Sequence, residues 1–105
     1  MHRRNSDRRI GRLDHLLQAT LRTASVEGEL FTAEIAARVQ SYDKVKILGR
    51  LSNEVDRRHH LIRAQSIQRI DGQLLSSFRF RHILVQKYLY NSLDEVERVY
   101  LHEQV

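Results

Sequence analysis

Phe78-Arg79-Phe80-Arg81-His82 runs directly into Ile83-Leu84-Val85-Gln86-Lys87-Tyr88-Leu89-Tyr90. The first five residues alternate aromatic and basic, so Phe78 and Phe80 share one strand face while Arg79 and Arg81 share the other. The next eight are apolar at helical spacing, so a helix is expected over 83–90. His82 stands at the junction, where a helix start leaves N–H groups unpaired and carries a partial positive charge, a setting suited to a phosphate.

Upstream, residues 61–70 are rich in Ile and carry no helical stripe, and Asp71-Gly72 is a two-residue hairpin turn signal. Residues 61–81 therefore read as a β-hairpin, with 74–81 as the returning strand. Three helices are expected before it. The first carries Ile10, Leu13, Leu17, Leu21 and Ala24 on one face. Gly28 interrupts it, and Phe31-Thr32 opens the second, with Thr32 as N-cap, Glu34 in the first turn, Ile35, Ala36 and Val39 inward, and Phe31 stapled onto Ala36. Ser41-Tyr42-Asp43 breaks the chain before a third helix, whose stripe is Val45, Leu48, Leu51 and Val55 and whose other face holds Lys44, Arg50, Asn53 and Arg57. At the end, Ser92-Leu93-Asp94-Glu95 reads as a capping box, with Ser92 at N-cap and Glu95 at N3. The last helix is striped by Leu93, Val96, Val99 or Tyr100, and Val105. The fold class is mainly α (α+β): three helices followed by a two-stranded wing, the winged-helix variant of the helix-turn-helix.

The 105 residues suffice for one small domain, and no apolar run approaches the roughly 20 residues of a membrane span. There is no cysteine, so disulfides and thiol catalysis are excluded and a reducing cytoplasm is the expected setting. The net charge of +5 is uneven: residues 1–12 hold five arginines and one acid, leaving +1 on the remainder. Residues 1–11 read as a basic, flexible leader and 12–105 as the folded domain, able to dimerise through any face left apolar.

Residues 12–105 resemble the winged-helix domain of STAND-type signal-transduction ATPases, which are AAA+-like multidomain switches. The resemblance rests on Ala24-Ser25-Val26-Glu27-Gly28 before Phe31-Thr32-Ala33-Glu34, on Phe78 to Tyr90, and on Leu101-His102. It implies that the chain is part of a larger protein, that it packs on an ATPase domain upstream and possesses helical-repeat sensor neighbours downstream, and that it helps hold a nucleotide-bound off state. It also implies that His82 meets an ADP phosphate: relatives carry Met-His-Asp at this junction, and here Arg81 and Ile83 flank the His. ADP or ATP would be bound through the ATPase domain. Arg79 and Arg81 are further candidates for a phosphate or an acidic face.

No G-x-x-x-x-G-K-[ST] loop or Walker-B carboxylate occurs, no nucleophile has an evident base partner, and the adjacent His59-His60 make a poor metal site, so neither catalysis nor a metal is expected of this chain alone. The alternative is a free-standing transcriptional regulator that reads DNA with Lys44, Lys46, Arg50 and Asn53 on the third helix and uses the arginine leader as an arm. Asp43, Glu54 and Asp56 near that surface weigh against it.

Overall fold

A computed structural model describes residues 8–105; Arg3 and Arg4 of the leader lie outside the described residues. The elements are α1 (His15–Ser25), β1 (Leu30–Thr32), α2 (Ala33–Val39), α3 (Lys44–Arg50), a π-helical segment (Leu51–Arg58) that continues α3, β2 (Ile62–Ile70), β3 (Gln73–Phe80), α4 (Ile83–Asn91) and α5 (Glu95–Gln104). The fold is α+β, with the strands in one antiparallel sheet ordered β1-β3-β2.

The expected first helix is divided. Residues 8–11 make a helical turn of their own, and α1 begins only after Asp14, whose carboxylate accepts the Leu17 N–H at 2.9 Å. A side chain that takes a backbone donor in this way competes with a continuous helix. Both pieces still deliver their apolar residues to one core: Ile10, Leu13, Leu17, Leu21 and Ala24 are all buried.

Sequence reading missed β1. Phe31 lies in it rather than acting as a staple beside α2, pairs with Phe78 and packs against the rings of both Phe78 and Phe80 at 5.8 and 5.0 Å. Thr32 does occupy the N-cap of α2, but its hydroxyl makes no capping bond. Its N–H donates instead to Glu27 Oε1 at 3.1 Å. On α2 the inward residues are Ala33, Glu34, Ala36 and Ala37, with Ile35 and Val39 half-buried.

The third helix starts as expected, Asp43 accepting the Lys46 N–H. Its buried stripe is Ile47, Leu51 and Val55, not one that begins at Val45, which is 80% exposed. Spacing of four residues throughout suits the wider turn of the π segment.

The hairpin forms as read. Asp71 and Gly72 both take positive φ, at 51° and 78°, which is the type I′ turn that Asp-Gly favours. A bulge between Ala64 and Ser66 shifts the register once. Phe78, Phe80 and Ile62 are buried at the base, whereas the rest of β2 is exposed.

The final cap lies two residues later than expected. Asp94 is the N-cap of α5 and Glu97 its N3 partner, each binding the other's backbone N–H. Ser92 instead closes α4, donating to Leu89 O. Both spacings offer S/T/D-x-x-E, but a helix that starts after Asp94 leaves Leu93 free to fill the gap between helices, where it is buried with Val26 and Leu101.

Candidate functional site

Three structural features converge at the β3–α4 corner. Phe80 anchors it from inside, fully buried beneath the sheet. His82 follows in extended conformation as the N-cap of α4, exposed, with no capping bond from its ring. No acidic residue lies in the first turn of α4, so the positive end of that helix is not offset from within it. Ile83 and Leu84 lie beside the imidazole, 43% and 47% exposed. The corner is therefore one polar, titratable side chain next to an uncovered apolar step.

The two neighbouring arginines are engaged elsewhere. Arg81 donates from Nε to Ile62 O and from its terminal nitrogen to Asp56, both at 2.9 Å. Asp56 also accepts the Ala64 N–H, so Arg81 and Asp56 tie the hairpin base to the π segment. Arg79 pairs with Glu29 at 3.1 Å across the β1–β3 ladder. Each guanidinium is already neutralised by an acid of this chain, and His82 is the member of the predicted trio that faces solvent without such a partner among the described residues.

The residues proposed for DNA are also divided. Lys44, Lys46 and Asn53 are exposed. Arg50 bridges Glu54 and Asp14, at 2.9 and 2.7 Å, and these carboxylates, Glu54 first, raise its already high pKa. It braces the third helix against the start of α1 rather than reaching outward. Asp56 is likewise committed to Arg81.

At the far end of the π segment, Arg57, Arg58 and His60 are exposed and His59 is half-buried. The pKa of His59 is lowered, chiefly by burial and then by the charges of Arg58 and Arg12. Arg12, remote in sequence, thus adds its charge to the same cationic end of the molecule. Among the described residues no three His, Asp or Glu side chains are grouped to hold a metal ion. No helix among them is long and apolar enough to cross a membrane.

Sequence reading also missed a cleft between the third helix and the hairpin, lined by Leu48, Ser52, Ile67, Ser76 and Phe78 among others. Its only sequence signal is the bulge-shifted alternation of β2, which pattern alone does not reveal. Compared with protein-family models, with curated proteins and with solved structures, the chain matches none.

Proposed function

We propose that this chain is a winged-helix interaction module of a STAND-like, AAA+-type signal-transduction ATPase, docking on an ATPase core in the cytoplasm and stabilising its nucleotide-bound off state. The order α1-β1-α2-α3-β2-β3, with β1 added to the far edge of the hairpin, agrees with a helix-turn-helix followed by a wing. The observation that carries the functional reading is the exposed corner of His82, Ile83 and Leu84. An apolar step beside an unpaired imidazole at a helix start suits a surface that a second module covers. This chain would contribute His82 to the nucleotide phosphate. Arg79 and Arg81, held by Glu29 and Asp56, would shape the corner instead of touching the ligand. The remainder of the nucleotide site, and any hydrolysis, would belong to the ATPase module, with a helical-repeat sensor as a further partner.

The test is an ADP titration of this domain joined to the P-loop module that the reading expects upstream, with and without His82→Ala. The reading expects weaker ADP binding in the variant and an unchanged melting temperature of the domain. Unaltered ADP affinity would remove His82 from the mechanism.

One observation favours the DNA alternative: Lys44, Lys46 and Asn53 are exposed along one helix. The internal pairing of Arg50 reduces that surface. Duplex binding that weakens steeply with salt would support this reading over the first; no binding at low ionic strength would end it.

A further inference from the structure

The third helix and the inner face of the hairpin diverge to leave a cleft of about 260 Å³. Leu48 and Ser52 form its helical wall, and Ile67, Ser76 and Phe78 line the hairpin side. Val45 lies one turn before Leu48 on the same helical face. Across from it, Ile67 is paired with Ser76 and Arg69 with Leu74, so Leu74 continues the Phe78–Ser76 face outward. Val45, Ile67 and Leu74 are 80%, 72% and 50% exposed. Ile67 lines the cleft itself, and Val45 and Leu74 continue its two walls by helical and strand register, leaving an open apolar groove.

The cleft is smaller than the ~300–1,000 Å³ usual for small-molecule sites, and Leu48 on one wall faces Ile67 and Phe78 on the other with small polar residues between them, which suits inserted side chains more than a metabolite. No charged residue lines the cleft itself, but cations stand near its open end: exposed Lys44 and Lys46 on either side of Val45 along the third helix, and Arg69, paired with Leu74 and donating to Gly72 O, on the hairpin. Asp43 caps the Lys46 N–H and keeps its charge, so three cations stand against one nearby acid; Asp71 lies out at the hairpin tip. A duplex would need base-reading polar groups where Val45 and Ile67 stand. A second copy would bring the same cations against this rim.

We propose that this groove binds an amphipathic helix with an apolar ridge and acidic flanks, the ridge lying between the third helix and the hairpin and the acids meeting Lys44, Lys46 and Arg69. This surface is separate from the His82 corner, so either assignment can fail without the other.

The probe is a synthetic helix with leucines at i, i+3, i+4 and i+7 flanked by glutamates, compared by fluorescence anisotropy with a lysine-flanked twin on the 105-residue chain. The glutamate peptide should bind roughly tenfold more tightly than its twin, and less tightly as salt rises. Val45→Ser and Ile67→Ser should each weaken it about tenfold with unchanged melting temperature, since both side chains are already in water. The double substitution Lys44→Glu with Lys46→Glu should invert the preference, and it is compatible with folding because acids suit a helix's first turn. Equal affinity for the two peptides, indifference to Ile67→Ser, or no inversion in the charge-reversed variant would overturn the assignment. Displacement of the glutamate peptide by a short DNA duplex whose own binding ignores Ile67→Ser would do the same, in favour of the DNA reading.

Discussion

Glu34 is a carboxylate buried beneath the sheet, and both its oxygens bind Ser76: the N–H at 2.6 Å and the hydroxyl at 2.8 Å. Glu34→Ala would strand both Ser76 donors, and we expect a loss of about 2–3 kcal/mol in urea denaturation, with Glu34→Gln costing clearly less because it retains an acceptor. Two other carboxyls give stability opposite dependences on pH. The Leu17 N–H, followed by Arg50, holds the Asp14 carboxyl below its ordinary 3.8. Its contribution is therefore present above the unfolded value and lost as pH falls through the folded one. Asp14→Ala should cost about 1 kcal/mol at neutral pH, the difference from the parent chain shrinking in acid. Glu27 is shifted the other way: burial raises it above 4.5, against the opposing Thr32 N–H. Its stabilising form is the protonated one, present below 4.5 and lost as pH rises through the folded value. Glu27→Gln, which keeps an acceptor for Thr32, should raise the melting temperature at pH 7 and change little well below pH 4.5. The Asp14 cap on Leu17 is a local feature, but the Glu34–Ser76 and Asp14–Arg50 partnerships are not legible locally, because each joins residues far apart in sequence.

Secondary-structure elements differ in how fully local sequence specifies them. The hairpin is locally determined: Asp71-Gly72 selects a turn with positive φ at both positions, and flanking alternation sets the faces. The third helix is only partly so. Its mid-helix Gly49 has open space where a Cβ would stand. Gly49→Ala should therefore stabilise by about 0.5–1 kcal/mol, read as a rise in melting temperature. The same substitution at Gly72, with φ at 78°, should destabilise instead, since L side chains rarely adopt that conformation. The short β1 escaped sequence reading for a physical reason. Its three residues carry no period of their own, and Phe31 becomes a strand residue only because Phe78 arrives beside it.

Taken together, the described residues form two apolar clusters of unequal size. The large one joins α1, the sheet, the third helix and α4; the small one, Val26, Leu93 and Leu101 with Val39, Tyr90 and Val105 against it, holds α5. A cleft of about 280 Å³ between α1 and α5 runs along that second cluster. The outer bonds of α5 are exposed ones, such as Tyr90 hydroxyl to His102 Nε2 at 2.9 Å with Arg98 over the Tyr90 ring. Opening of α5 should therefore be the lower-energy event. In native-state hydrogen exchange, α5 amides should exchange faster than those of α1 and β3, and Leu93→Ala should accelerate α5 alone. Uniform protection across α5 and α1 would refute this partition.

Composition and periodicity alone determined the sequence of helices and hairpin, the apolar set Leu17, Leu21, Leu51, Val55, Phe78 and Phe80, and the hairpin turn. These depend on steric rules that act within a few residues. Tertiary structure alone decided that Phe31 joins the sheet, that Arg50, Arg79 and Arg81 are neutralised at home while His82 faces water, and that Val45 stands exposed and Ile67 lines a cleft instead of a core. Those outcomes depend on which surfaces meet once the chain has closed, and a one-dimensional pattern records which side chains share a face but not what that face will touch.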